Sequence, residues 1–326
     1  MTSGVSVSGS AGLRWSCRAV AFGFALLPTV VAAQWRVGGS IEPGYRLDEF
    51  KWNIGSSLAG NTTPNILSEL SWTDLHIAEI EAGGHLEHVS GLRLRADASW
   101  GTILAGDNQD SDYLGNDRTL EFSRSNNDAS QGSVDRLGVS VGWSVPMSGK
   151  LRFDGSGRTY LVPLLGYETR NIRLRMQDGV QTVASIFTPP LGPFEDLDSS
   201  YEAKWQGPWV GLEFVDEQPR DLHGFLRVEY HRPEYDAKAN WNLRSDFSHP
   251  VSFRHHAEGD GVVVRLGLQT PERKGLSWRM QLGYEYWKTN HGIDRTFFSD
   301  GTQSEIRLNE VKWESWSLHY GLQYHF

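Results

Sequence analysis

The sequence predicts an all-β fold, a closed antiparallel transmembrane β-barrel of about ten strands extended above the membrane. Three observations predict it. Apolar residues recur at every second position through many segments, with charged and small residues between them, which is the period of a strand with unlike faces. No segment approaches the ~20 apolar residues that a spanning helix needs. The first 33 residues carry Arg14 and Arg18, an apolar run from Ala19 to Val31 and the small residues Val31-Ala32-Ala33, the pattern of an export signal cleaved after Ala33. The division is therefore a signal peptide over 1–33 and a barrel over 34–326. The single cysteine, Cys17, leaves with the signal, so no disulfide holds the mature chain together.

Strand-like runs lie near 35–55, 64–85, 91–104, 134–147, 158–178, 201–216, 222–242, 260–270, 276–292 and 306–326. In the third, Leu92, Leu94, Ala96, Ala98 and Trp100 alternate with Arg93, Arg95, Asp97 and Ser99. In the fourth, Leu137, Val139, Val141, Trp143 and Val145 alternate with Arg136, Ser140, Gly142 and Ser144. The seventh sets Leu226, Val228 and Tyr230 against Arg227, Glu229 and His231. The eighth and ninth, GVVVRLGLQT from Gly261 and the run from Leu276 to Tyr286, repeat the pattern across the short connection PERKG. A soluble sandwich also alternates, but it turns its charged face to water. The tenth run decides between the two: Trp316, Leu318, Tyr320, Leu322, Tyr324 and Phe326 alternate to the last residue, and this terminal aromatic strand resembles the ending of bacterial outer-membrane barrels.

An even strand number closes an antiparallel barrel with no edge in lipid. The connections at 86–90, 148–157, 217–221 and 271–275 are short and those at 56–63, 105–133, 179–200, 243–259 and 293–305 longer. Short turns are expected at the periplasm and long loops outside. Several runs exceed the ~9–11 residues that cross a membrane, so the barrel stands tall. The 13 Trp, 11 Tyr and 14 Phe suit interfacial girdles. The formal charge of −9 becomes more negative by two when Arg14 and Arg18 are removed, which argues against nucleic acid as a partner.

With the apolar face in lipid, Arg93, Arg95, Asp97, Arg136, Glu213, Arg227, Glu229, Arg265, Arg279 and Glu285 point into the lumen, where cross-barrel ion pairs are expected. About ten strands enclose little space, and a general aqueous channel takes 16–18; a narrow charged passage or a simple charged filling remain as readings.

The stretch GDNQDSDYLGNDR, from Gly106 to Arg118, is expected to be a loop, and it brings Asp110 and Asp112 two residues apart. A solvated connection, half of a water-activating site and a cation or lipopolysaccharide contact are its three readings. Asp110, Asp112, Gly115 and Glu121 match positions of an EF-hand loop, but Leu114 stands where an oxygen ligand belongs and no helices flank it, so no metal or other cofactor is expected. NILSELSW from Asn65 and DSDY from Asp110 resemble the omptins, outer-membrane aspartyl endopeptidases; DEFKWNI from Asp48 and PNILSELSW from Pro64 are similar to an omptin-like group that includes a porin family of chlamydia-related bacteria. The omptin resemblance implies a cleft in which two aspartates, here Asp110 and Asp112, face an Asp-x-His pair. There the His is a base oriented by its Asp, and the carboxylates hold a water. This chain has SDFSHP instead, so Asp246 and His249 stand three apart and on opposite faces of a regular strand, with His255 or His256 as substitutes. Glu49 falls near a specificity acid. The expectation is a non-enzymatic, porin-like, monomeric barrel of the bacterial outer membrane, with lipid, lipopolysaccharide and, through the C-terminal strand, the barrel-assembly machinery as partners. The alternative is an omptin-type endopeptidase cleaving near basic residues.

Overall fold

The computed structural model describes residues 34–147, 158–217 and 222–326. The expected signal over 1–33, the connection at 148–157 and most of that at 217–221 lie outside the described residues. Ten strands form one ring: β1 (Trp35–Ile54), β2 (Ser68–His88), β3 (Leu92–Tyr113), β4 in two segments (Glu121–Asp128 and Gly132–Trp143), β5 (Arg158–Val183), β6 (Asp198–Glu217), β7 in two segments (His223–His231 and Glu234–Asn240), β8 (Phe253–Gln269), β9 in two segments (Leu276–Thr289 and Gly292–Phe297) and β10 (Gln303–His325). Each strand is antiparallel to the next, and β10 returns to pair with β1 from Gly38 opposite His325 to Ile54 opposite Leu308. Closure removes the edge that lipid could not satisfy. Between β8 and β9, Lys274 and Gly275 both take positive φ, 54° and 82°, and Arg273 and Leu276 exchange both backbone hydrogen bonds, at 2.8 and 3.1 Å. A two-residue turn of this hand matches the twist of its strands.

The strands run further toward the long-loop end than the sequence predicts. β3 reaches Tyr113, β4 begins at Glu121, β8 at Phe253 and β10 at Gln303, so much of 105–133, 243–259 and 293–305 is strand. The reason is a change of sign in the pattern. Near the short-turn end the outer face is apolar: Leu137, Val139, Leu165, Val210, Leu266, Trp278, Leu318 and Tyr320 are all exposed, a belt that water would reject and hydrocarbon accepts. Past the membrane edge the outer face is polar and the inner face apolar, and Asn, Asp and Ser in extended pairing resemble loop by composition.

The interior has two layers. At the height of the lipid belt it is ionic. Arg136 contacts Asp97, Glu81 at 2.9 Å and Glu168 at 3.3 Å; Arg227 meets Glu213 at 2.9 Å and Glu229 at 3.1 Å; Arg265 meets Glu229 at 3.3 Å and Glu285 at 3.6 Å; Arg279 meets Glu42 at 3.5 Å. The water-accessible cavity left among these groups toward the short-turn end is about 110 Å³. Above it lies an apolar layer in one continuous cluster to which every strand contributes: Phe50 and Trp52 from β1, Trp72 from β2, Ile103 from β3, Val134 from β4, Ile172 from β5, Tyr201 and Trp205 from β6, Tyr235 from β7, Phe253 from β8, Trp287 from β9 and Trp313 from β10. Trp52, Trp72, Trp205, Trp287 and Trp313 are each 2% exposed or less. Phe50 meets Trp72 edge-on with ring centres 5.8 Å apart, and Trp52 stacks on Tyr201 at the same separation, separations at which aromatic pairs attract. A passage charged from end to end is therefore interrupted by a layer of buried apolar side chains to which all ten strands contribute.

Candidate functional site

Toward the long-loop end the apolar layer meets the two aspartates that the sequence singles out, Asp110 standing opposite Leu70 in register. Asp110 and Asp112 lie on β3, not in a loop, because Ser68 to Thr73 of β2 pairs along Asp112 to Asp107 and β4 flanks the other side. In this extended backbone residues two apart share a face, and both carboxyls look inward beside Asn108, which accepts from Asn127 at 2.7 Å. Burial, and then the neighbouring Asp112 carboxylate, raise the Asp110 pKa well above the ordinary aspartate range. The Arg244 guanidinium and the Trp241 indole pull it back only in part, and the Oδ1 atom of Asp110 is buried without a hydrogen-bond partner. Asp112 is raised as well, by burial first, while the hydroxyls of Ser68 and Ser123 lower it. Two nearby carboxyls of this kind favour holding a proton between them.

The raised value has a direction that can be measured. A carboxyl whose folded pKa exceeds its unfolded one is stabilising while protonated, and that contribution fades as the pH rises from the ordinary aspartate range through the raised value. Asp110→Asn should therefore melt higher than wild type at neutral pH and match it near pH 4. Thermal melts at several pH values read this, and a variant that melts lower at neutral pH would mean that the ionised carboxylate is well compensated.

The opposite wall does not carry the expected dyad. The segment between β7 and β8 is loop, so the strand register of Asp246 and His249 does not apply. Asp246 is exposed and held by Arg244 at 2.7 and 2.9 Å, which keeps its pKa below the ordinary aspartate range. His249 is exposed and its Nδ1 is 2.7 Å from Asn240 Oδ1. The structure does not bring the two together, and Trp241 and Arg244 are the loop's groups that act on Asp110. Glu49, expected in a specificity pocket, is on the outer face opposite Glu314 in register, since period two turns Asp48 and Phe50 inward and Glu49 outward.

Of the two substitute histidines, His256 is exposed and pairs with Asp236 at 2.9 Å. His255 is buried, with Nε2 2.9 Å from Asp294 and Nδ1 2.8 Å from the Tyr201 hydroxyl, which in turn contacts Tyr235. Asp294 can only accept when ionised, so Nε2 carries the hydrogen and Nδ1 accepts from Tyr201. This Asp–His pair lies within the apolar layer: Phe253 packs tilted against His255 with ring centres 5.2 Å apart, and Trp241 meets Phe253 edge-on at 4.7 Å. The sequence marked His255 as a spare but not Asp294, which falls 39 residues later in a stretch expected to be loop.

The EF-hand reading also dissolves. Asn116 and Asp117 bind Asn65 at 2.9 Å, Arg118 holds Glu69 at 2.5 and 2.8 Å, and Glu121 holds Arg124 at 2.5 and 2.7 Å. Among the described residues no three His, Cys, Asp or Glu side chains gather as a metal site would require. The lumen residues Arg93, Arg95, Asp97, Arg136, Arg227, Glu229, Arg265, Arg279 and Glu285 all lie inside the ring in ion pairs.

Comparison with known proteins places this architecture. Among solved structures, the outer membrane protease OmpT from Escherichia coli superposes with a TM-score of 0.67 at 13% identity, over 89% of this chain and 97% of that one. The outer membrane protein OprG from Pseudomonas aeruginosa gives a TM-score of 0.33 at 10% identity over 90% and 95% of the two chains. At such identities the likeness to OmpT is one of fold. Curated proteins give no sequence match. The family model described as Protochlamydia outer membrane protein matches residues 40–326, from within β1 to Phe326, and the chain belongs to that family, an outer-membrane β-barrel.

Proposed function

We propose that the protein is a non-enzymatic barrel, closed to diffusion through its lumen, that works from a long-loop end facing out of the cell. The observation that carries this reading is the apolar layer drawn from all ten strands. An ion crossing it would leave water without compensation, at a cost of many kcal/mol. The non-enzymatic half rests on the wall opposite the two aspartates. In the arrangement the omptin resemblance implies, a His there takes the proton from the water; here the loop groups that reach Asp110 are a guanidinium, which stays protonated, and an indole, which only donates, while the exposed His249 lies against Asn240.

Two measurements on purified protein test this. In a planar bilayer the wild type should give no current steps at any voltage. A dibasic peptide should survive incubation, with Asp110→Ala and His249→Ala indistinguishable from wild type; cleavage lost in both variants would establish the endopeptidase instead. The porin reading has its own support in the charged lower lumen, and voltage-dependent steps would favour it. Outer-leaflet lipid is a proposed partner, and the cations Lys204 and Arg254 above the belt suit lipopolysaccharide phosphates, beside Arg173, Lys238 and Arg295, which are paired with Asp135, Glu202 and Glu305. The terminal strand through Tyr324 is proposed to engage the assembly machinery, and the barrel to act as a monomer.

A further inference from the structure

We propose that Tyr201 is a redox centre: it gives one electron to an oxidant of the oxyl-radical class arriving at the long-loop end, while its phenolic proton passes to His255. Tyr201 is fully buried in the apolar layer, and its hydroxyl donates to His255 Nδ1 at 2.8 Å. Asp294, 2.9 Å from the other ring nitrogen, fixes the tautomer that leaves Nδ1 bare. A base is thereby aimed at a phenol among buried side chains. The Tyr235 hydroxyl, which contacts the Tyr201 oxygen, is then the donor of that pair. Burial, and then Tyr235, hold the Tyr201 pKa well above the ordinary phenol range, so the proton stays in place while the ring keeps its electrons. Removing one electron reverses this, because an oxidised phenol is a strong acid.

In that step the oxyl radical gains one electron and becomes an oxyanion. Tyr201 loses the electron and its O–H bond and becomes a neutral radical, and His255 gains the proton at Nδ1 and becomes an imidazolium. Charge favours the product. Beforehand Asp294, 2% exposed, is a buried anion served by neutral donors, His255 and the Thr296 hydroxyl at 3.0 Å; afterwards the same carboxylate faces a cation. A buried charge is costly alone and far less so when paired and hydrogen-bonded.

The surrounding rings decide where the electron hole comes to rest. Trp52 stacks on Tyr201 with ring centres 5.8 Å apart and Trp72 lies at 5.5 Å. Trp52 continues through Phe253 at 5.7 Å to Trp241 at 4.7 Å, which is half-buried in the loop between β7 and β8. The indole N–H groups of Trp52 and Trp72 are buried without a hydrogen-bond partner, so either ring, once oxidised, has nowhere to send its proton and stays a cation among apolar side chains. Tyr201 has a base beside it, and the hole settles there.

A ruthenium photo-oxidant tethered to Leu243→Cys, exposed and two residues from Trp241, tests this in the whole barrel in detergent, with photogenerated ruthenium(III) standing in for the oxyl radical. Otherwise unsubstituted, this barrel should give a tyrosyl signal by electron paramagnetic resonance, formed more slowly in D2O than in H2O. Adding Tyr201→Phe should abolish that signal and leave a tryptophan radical. Adding His255→Gln, which keeps an acceptor but removes the base, should do the same. A hydrogen bond of purely structural value would lower the melting temperature of both variants and leave the site of the radical unchanged. No tyrosyl signal, equal rates in the two solvents, or a tyrosyl signal that survives either substitution would overturn the proposal, and the solvent comparison decides even where a variant fails to fold.

Discussion

Replacing Glu213 with Ala lowers the stability of the barrel by about 3–5 kcal/mol, the range found when one partner of a buried ion pair is deleted. Glu213 is 1% exposed and is shared by three cations. Arg95 donates to it through two nitrogens at 2.6 and 2.7 Å, Arg227 at 2.9 Å and Arg93 at 3.3 Å. Arg93 keeps Glu87 at 2.5 Å and Arg227 keeps Glu229 at 3.1 Å when it goes, but three guanidinium groups are then left around one cavity with a carboxylate too few. Glu213→Gln should fall between, since it retains the shape and one acceptor but loses the charge. The temperature at which the folded band disappears on a semi-native gel, together with a urea midpoint, reads the loss. A Glu213→Ala variant as stable as wild type would mean that the lower lumen is hydrated enough to screen its charges.

The second large effect is on the opposite face of the wall. Val141 and Leu137 lie on the outer face of β4, where Val141 pairs with Leu165 and Leu137 with Thr169, placing Val141 deeper in the belt. An arginine on a lipid-facing strand costs about 2–4 kcal/mol at the bilayer midplane and about 0–1 near the interface. Val141→Arg should therefore destabilise the barrel strongly and Leu137→Arg weakly, in folding measured by urea titration into lipid vesicles. A soluble sandwich would give no such depth dependence, and equal effects at both positions would remove the membrane from the account.

The strands and their unlike faces were legible because one rule, period two, holds the length of the wall. That Leu137 and Arg136 take opposite faces follows from it without any knowledge of neighbours, and Asp110 and Asp112 share a face once their stretch is extended; which face looks outward came from the terminal aromatic strand. Where the rule changes sign it misled: Asp48, Phe50 and Trp52 share one face, yet the first serves the ionic layer and the others the apolar one. Tryptophan is equally at home at a lipid interface and in a dry core, so composition could not separate Trp316 in the belt from Trp313 in the seal. The long strands beyond the membrane were hidden by Asn, Asp and Ser, which resemble turn chemistry locally and become strand only because β2 and β4 pair with them. The loop groups that reach Asp110 were not legible at all. Trp241 and Arg244 act on Asp110 from a loop more than 130 residues away in sequence, with no periodicity to aim them, and the resemblance to omptins extends to the fold without the Asp-x-His wall.

Since the only cysteine lies in the expected signal, single thiols can probe the two sides of the apolar layer without background. Asp112→Cys sits on its long-loop side, opposite Ser68 in register; Gly83→Cys sits below it, facing the lower cavity, where an added Cβ would meet the Ser40 hydroxyl at 3.1 Å. On intact cells an impermeant maleimide should label the first and leave the second unreacted until the outer membrane is broken from within. Labelling of both at comparable rates on intact cells would contradict the closed lumen.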